Sequence, residues 1–308
     1  MRARYNIAEV ITMKITKTIP AFKDYIWGGT KLKTTFGKQS DLSRVAESWE
    51  LAAHKDGTSG FQGETFNLGD LFDANRELIG KKASKFERFP MIIKLIDARD
   101  NLSVQVHPSD EYALKNENSY GKTEMWYVAE VEESAGLYVG FNRDVSQEEF
   151  RTLIAENRLQ EVLNFIPVKP GEWYFIEAGT VHAIGKGVVI AEIQQNSNLT
   201  YRLYDYGRVG ADGKPRELHV EKGIKVSKLS AYTPDKRTSC EYFSCEKTDF
   251  SGKTTLVADE DSFVAIVILD GALTVEGTTY QKGDTVFVPA GYGAFALNGE
   301  ASAIVVRI

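Results

Sequence analysis

Gln105 and His107 stand two residues apart in Ser-Val-Gln-Val-His. At that spacing a β-strand presents both side chains to one side while Val104 and Val106 turn to the other. Glu124 follows in Gly121-Lys-Thr-Glu-Met-Trp-Tyr, at the entry to an apolar run, and His182 follows an Ala-Gly-Thr turn. Two imidazoles, a carboxylate and an amide oxygen form a mixed nitrogen–oxygen donor set. Such a set suits Zn²⁺ with water completing the shell, and also accepts Mn²⁺, Fe²⁺ or Co²⁺. In isolation a Gln-x-His pair reads more simply as two hydrogen-bonded strand residues, so the metal reading needs support from the surrounding pattern.

Four further charged residues fall in apolar surroundings. Lys94 sits inside Met-Ile-Ile-Lys-Leu-Ile, where an ammonium is costly unless paired or facing a cavity, and it is a candidate anion ligand. The alternative for it is an edge-strand lysine that blunts aggregation. Glu192, in Val-Ile-Ala-Glu-Ile-Gln-Gln, is a carboxylate within a strand whose proton affinity a buried site could tune for proton transfer. Arg202 and Arg208, in Thr-Tyr-Arg-Leu-Tyr-Asp-Tyr-Gly-Arg, offer guanidinium forks to a phosphate or oxyanion, or else make surface ion pairs.

The elements that must position these residues are mainly strands. Short apolar runs rich in Val, Ile, Tyr and Phe recur at Met91–Ile96, Leu102–Val106, Met125–Val131, Gly136–Phe141, Glu172–Ile176, Val188–Ile193, Phe263–Leu269, Thr285–Val288 and Ala303–Ile308. Helical signals are few. Ser146–Glu149 has capping-box spacing ahead of Phe150, Leu153 and Ile154; Leu68–Ile79 ends at Gly80; Ser109–Asn116 follows the strand that ends at His107.

A weak repeat organises the chain. Lys169-Pro-Gly-Glu-Trp-Tyr-Phe-Ile-Glu-Ala-Gly-Thr-Val-His182 matches Gln281-Lys-Gly-Asp-Thr-Val-Phe-Val-Pro-Ala-Gly-Tyr-Gly-Ala294. Each copy runs from a Gly-acid turn through a strand to an Ala-Gly turn, the second half of the cupin signature of a jelly roll. The first copy ends on His182 and the second on Ala294, so only the first offers a ligand at that position. This recurrence moves the reading of Gln105, His107, Glu124 and His182 to a metal site.

Composition narrows the classes. The 308 residues give room for two domains, and 37 Lys and Arg against 43 Asp and Glu leave a net charge of −6. That balance disfavours nucleic acid as a partner. Two cysteines, Cys240 and Cys245, are too few for a disulfide scaffold or a cysteine metal site. No run is long and apolar enough for a membrane span, and the first residues lack a signal-peptide core, so the expectation is a cytoplasmic protein without membrane or nucleic-acid partners. Met13 begins a strand-like Met-Lys-Ile-Thr-Lys-Thr-Ile-Pro, and residues 1–12 read as an upstream-start extension or native sequence alike.

Taken in order, Tyr25-Ile-Trp-Gly-Gly, Glu47-Ser-Trp-Glu, Lys94, Ser103-Val-Gln-Val-His-Pro108, Lys122-Thr-Glu124, Ala178-Gly-Thr-Val-His-Ala183, Glu192-Ile-Gln-Gln and Tyr201–Arg208 make a specific pattern. The chain resembles the type I mannose-6-phosphate isomerases in their short bacterial form. The resemblance implies an all-β, mainly β fold of two cupin (jelly-roll) β-sandwich domains with a few short helices. Residues 1–228 would be the metal-binding catalytic domain and 229–308 a degenerate, metal-free cupin. It implies one Zn²⁺ per chain on Gln105, His107, Glu124 and His182, and interconversion of mannose 6-phosphate and fructose 6-phosphate through a cis-enediol(ate). Arg202 takes the catalytic position, and Ser103, Lys94 and Arg208 fit the phosphate-binding positions. In the chemistry that follows, Arg202 and Lys122 stabilise the enediolate, and Glu192 or a water on the metal moves the proton. The expected partner is a small sugar phosphate, and the expected state a monomer or small homo-oligomer.

The chain departs from longer family members. The large helical insertion is absent, Gly121 replaces a histidine before the lysine, and Arg208 replaces a lysine. Two other classes fit parts of the pattern: a non-haem iron cupin oxygenase, built on two histidines and a glutamate, and a sugar-phosphate-binding cupin without turnover.

Overall fold

The computed structural model describes residues 14–209 and 213–308. The reading of residues 1–12 as an extension lies outside the described residues. Among the described residues no helix is long and apolar enough to cross a membrane.

The chain is mainly β, and strands between Ala21 and Tyr204 form a sandwich of two antiparallel sheets. One sheet has six strands in the order Trp173–Ile176, Glu124–Val131, Val188–Gln195, Met91–Ala98, Glu47–Leu51, Ala21–Lys23. The other has five, in the order Leu163–Pro167, Gly136–Phe141, His182–Ile184, Val104–Val106, Tyr201–Tyr204. The central strands Met91–Ala98 and Val188–Gln195 are buried along their whole length because both faces of their sheet are covered. Met91, Ile93 and Leu95 pack toward the C-terminal sheet, while Ile96 and Ala98 pack into the sandwich with Trp126, Val128, Leu137 and Ile190.

On the outside of the five-stranded sheet, Val104 and Val106 pack with Phe150, Leu153 and Ile154 of the helix Gln147–Ala155 and with Ile224 of the helix Val220–Val226. Gln105 thereby faces the sandwich interior, as alternation requires. The Ser146 hydroxyl accepts from the Glu149 amide, forming half of the predicted capping box; the Glu149 carboxylate turns instead to Arg143.

The helix expected over Leu68–Ile79 is shorter, ending at Ala74, and the helix expected over Ser109–Asn116 runs Asp110–Glu117. Asn75 leaves helical geometry, and a 3₁₀ turn, Arg76–Leu78, carries the chain to Gly80. Gly80 has a φ of +113°, and a Cβ there would sit 2.4 Å from the Asp261 carbonyl oxygen. Contact with the loop that joins Ser244–Ala258 to Val264–Val275 overrides the helical periodicity at this point.

The C-terminal sheet is seven-stranded and bends on itself around Phe250, Ile266, Ile268, Val286, Phe295 and Val305. Its opposite face, with Phe263, Ala265, Val267, Phe287, Ile304 and Val306, packs on the six-stranded sheet. Thr16–Ile19 joins this sheet by pairing with Thr285–Val288.

The sequence repeat has a backbone counterpart. Gly171 and Gly283 are both left-handed (φ +96° and +87°), as are Gly179 and Gly291 (+88° and +74°). The Glu172 carboxylate accepts from the Lys169 amide at 3.0 Å, and the Asp284 carboxylate accepts from the Gln281 amide at 3.1 Å. The copies part at their last residue: His182 is buried, while Ala294 is exposed on the outer side of its strand.

Candidate active site

Two rows of side chains face each other across the sandwich. In the five-stranded sheet His182 pairs with Gln105, and Gln105 pairs with Arg202. In the six-stranded sheet Trp126 pairs with Glu192, Glu192 with Lys94, and Lys94 with Trp49. The register of each sheet therefore sets polar residues in line, and sheet stacking brings the lines together. Glu124 reaches the same interior because it shares a strand face with Trp126.

His107, Glu124 and His182 form a buried cluster whose possible ligand atoms all lie within 4.8 Å of one another. His107 Nε2 lies 3.3 Å from Glu124 Oε1, and His182 Nε2 lies 3.5 Å from Oε2. His182 Nε2 is also 3.4 Å from the Gln105 side-chain amide. Each imidazole has its other nitrogen against a backbone carbonyl: His107 Nδ1 is 2.8 Å from the Leu199 oxygen, and His182 Nδ1 2.8 Å from the Thr180 oxygen. A proton on each Nδ1 satisfies those carbonyls and leaves both Nε2 lone pairs aimed at the cluster. This is the outer arrangement that orients metal-ligating histidines.

The electrostatics suit a cation. Burial, reinforced by the nearby Lys122 ammonium, holds His107 neutral with a pKa lowered to about 3. Burial also lowers His182. Burial opposes ionisation of Glu124, but the Lys122 ammonium outweighs it and keeps the carboxyl well below its usual range. Lys122 contacts Glu124 Oε1 as an ion pair, yet neither Glu124 oxygen has a hydrogen-bond partner. Neutral imidazoles and an ionised, hydrogen-bond-free carboxylate, all buried and convergent, make a donor set that fits a divalent metal.

The Lys122–Glu124 segment is braced from outside. Asp110 Oδ1 accepts from the Gly121 amide at 2.6 Å and from the Gln195 side chain at 3.1 Å, and Gln195 Oε1 accepts from the Thr123 amide at 2.8 Å. The Tyr242 hydroxyl donates to the other Asp110 oxygen. Gly121 is obligatory here for reasons of space: a Cβ would lie 2.4 Å from the Ser109 carbonyl carbon and 2.5 Å from the Asp110 nitrogen.

The cluster borders a cleft of about 270 Å³ lined in part by Ser103, Gln105, Lys94, Lys122, Glu192 and Arg202. Lys94 is 3% exposed on an interior strand, which removes the edge-strand alternative. Its ammonium lies 3.3 Å from Glu192 Oε1, 3.5 Å from Glu47 Oε2 and 4.9 Å from the Trp49 ring centre. Burial works against its charge, but the carboxylates of Glu47, Glu192 and Glu124 outweigh burial and strengthen its hold on the proton. Burial and the neighbouring Glu124 raise the Glu192 carboxyl; its Oε2 accepts from the Trp126 indole at 2.8 Å, while its Oε1 has no hydrogen-bond partner.

Arg208 is not among the cleft-lining residues. It gives Nη1 to the Asn101 carbonyl at 2.6 Å and Nη2 to Asp205 at 2.5 Å. Tyr25, Glu47, Asn198, Thr200 and Arg216 line the cleft without having been given roles from sequence. Arg216 carries no local signal, since only the fold brings it to Asp205. A larger groove of about 630 Å³, between the Arg76–Leu78 turn and the C-terminal sheet, is lined by exposed charges and holds no cluster of buried ionisable groups. His54 and His219 lie outside the metal cluster.

Comparison with known proteins agrees with this geometry. The family model "Phosphomannose isomerase type I, catalytic domain" matches residues 15–149, and "Mannose-6-phosphate isomerase, cupin domain" matches residues 236–308. The chain is 40% identical to mannose-6-phosphate isomerase ManA of Bacillus subtilis, over 93% of this chain and 96% of that protein. It is 35% identical to the mannose-6-phosphate isomerase of Streptococcus mutans, over 91% and 93%. The crystal structure of a mannose 6-phosphate isomerase from Bacillus subtilis superposes with a TM-score of 0.86 at 34% identity, covering 96% of this chain and 99% of that one.

Proposed function

The chain belongs to the type I phosphomannose isomerases, the mannose-6-phosphate isomerases, and on that footing we propose that its cleft interconverts mannose 6-phosphate and fructose 6-phosphate as a zinc enzyme, through a cis-enediol(ate). The observation that carries this reading is the buried cluster of His107, Glu124 and His182 bordering a cleft that Gln105, Lys122 and the Lys94–Glu192 pair line.

Gln105, His107, Glu124 and His182 hold one Zn²⁺ per chain. When bound, the ion supplies a positive charge that polarises the sugar oxygens and offsets the negative charge developing on them. Isomerisation removes a proton beside the carbonyl and returns it to the adjacent carbon. Glu192 Oε1 takes and returns that proton. The Trp126 bond to Oε2 fixes the carboxylate, and burial with the neighbouring Glu124 raises its proton affinity above that of a free carboxyl. Lys122 and Arg202 stabilise the enediolate oxygens in a water-poor site.

Phosphate supplies binding energy remote from the reacting carbons. Ser103, Lys94 and Arg208 are the positions that the resemblance gives to phosphate; the first two line the cleft, and Arg208 would act from outside its lining. A chain of net charge −6 repels a dianion at long range, so these local cations set the field that the substrate meets. We place the enzyme in the cytoplasm, where Cys240 and Cys245 stay reduced. A coupled assay for fructose 6-phosphate formed from mannose 6-phosphate tests the reading: steady turnover supports it, and none with metal-loaded protein contradicts it.

A further inference from the structure

We propose that Arg216 is the guanidinium of this cleft that receives the substrate's phosphate, with Asp205 holding it in place. The inference rests on the isomerase reading above for the identity of the substrate.

Asp205 is 5% exposed at the end of the strand Tyr201–Tyr204 and accepts from two arginines. Arg216 uses its Nε–Nη2 edge on it, with Nε 2.7 Å from Oδ2 and Nη2 against Oδ1. Arg208 approaches the same Oδ1. One carboxylate thus fixes two guanidiniums with different outlooks. Arg208 is used up by the Asn101 carbonyl and lies 5.1 Å from the Tyr206 ring centre. Arg216 lines the cleft beside Arg202 and Gln105. A bidentate bond on one edge of a planar fork fixes the direction of the whole group.

Charge points to Arg216 as the cation that the phosphate meets in addition to Lys94. Lys94 already faces two carboxylates, Glu47 and Glu192. Across the cleft, Arg202 and Arg216 line the wall, and Arg208 outside it shares the single Asp205 carboxylate with Arg216, so three guanidiniums stand against one carboxylate. Glu217, the other carboxylate acting on Arg202, is 83% exposed and screened by water. The surplus matches a phosphate dianion. Arg202 adds a second sign of an absent anion: its Nε is buried without a hydrogen-bond partner, while its Nη1 donates to the Glu217 carbonyl at 2.9 Å. Burial, followed by repulsion from Arg216, weakens Arg202's hold on its own proton. An anion between them would relieve that repulsion.

The test compares Arg216→Ala, Arg216→Lys and Arg208→Ala with the unsubstituted, metal-loaded, full-length enzyme. KM and kcat are measured with mannose 6-phosphate, together with competitive inhibition by inorganic phosphate. Loss of a charged hydrogen bond to phosphate should raise KM and the phosphate inhibition constant together, by about 10- to 100-fold in Arg216→Ala, with kcat within about threefold. Arg216→Lys keeps the charge without the fork and should fall between. Unchanged KM and inhibition constant, a loss confined to kcat, or a larger KM increase in Arg208→Ala than in Arg216→Ala would each overturn the proposal. Should Arg216→Ala fail to fold, Arg216→Lys decides by the same criteria. If the unsubstituted enzyme does not turn over mannose 6-phosphate, the isomerase reading fails on its own. Calorimetric titration of inorganic phosphate into the unsubstituted and Arg216→Lys proteins then still judges Arg216, by weaker or equal binding.

Discussion

Glu192 and Lys94 stand directly opposite each other on adjacent antiparallel strands, carboxylate oxygen and ammonium 3.3 Å apart, both nearly excluded from solvent. The pairing holds the Glu192 oxygen that lacks a hydrogen bond at the cleft wall, next to the metal cluster. Glu192→Gln keeps the shape and removes the proton acceptor. It should lower kcat by about 100- to 10,000-fold with little change in KM. Steady-state kinetics check this, and a kcat within threefold of the unsubstituted enzyme would exclude Glu192 as the proton carrier.

Lys94 balances two buried carboxylates, so its loss is felt first in stability. Lys94→Met should reduce the unfolding free energy by about 3–5 kcal/mol, since removing one partner of a buried ionic group strands the other. Urea denaturation measures it. A change below about 1 kcal/mol would mean that Glu47 and Glu192 do not depend on this ammonium.

Gly121 occupies a position where the backbone of Ser109 and Asp110 leaves no room for a side chain. Gly121→His, which restores the residue type of the longer family members, should cost about 1–3 kcal/mol through overpacking and displace Lys122 and Glu124. The expected outcome is reduced metal retention on dialysis together with lower kcat/KM. A variant that keeps its metal and its activity would show that the loop yields without disturbing the site.

Asp205 supplies a pH dependence. Burial opposes its ionisation, but the hydrogen bonds from Arg216 and Arg208 outweigh burial and hold the carboxyl below its ordinary value of 3.8. A depressed folded pKa means that the native state stays ionised while the unfolded chain takes up a proton. The stabilisation is therefore fully present above the unfolded value and is lost as pH falls through the folded one. Asp205→Asn should be about 1–3 kcal/mol less stable at pH 7, and that difference should shrink below pH 3.8. Denaturation curves from pH 7 downward check this; a difference that stays constant with pH would contradict it.

Much of the frame was legible in the sequence because its signals are local. The run Met91–Ile96 reads as a strand from its apolar content, and Gln105 and His107 share a side by strand alternation. Gly171 and Gly283 mark a repeat that the backbone repeats bond for bond. Other features depend on distant packing. The helix from Leu68 stops at Ala74 because the chain must reach Gly80 against Asp261. Ser244–Ala258 carries no apolar run, and in Gly293–Arg307 an apolar run marks only the end from Ala303, so the full length of these 15-residue strands was not legible. Glu47 and Arg216 reach the cleft only through sheet pairing and through Asp205, which no spacing in the sequence encodes.

If the His107–Glu124–His182 cluster serves a metal-dependent isomerase, activity and bound metal must rise and fall together. Purified protein is stripped with a chelator, assayed for conversion of mannose 6-phosphate to fructose 6-phosphate, and assayed again after titration with Zn²⁺, with bound metal counted per chain. Activity should be lost on stripping and restored in step with one Zn²⁺ per chain, with neither restoration nor stoichiometric binding in His182→Ala. Full activity in the metal-free protein would contradict metal dependence.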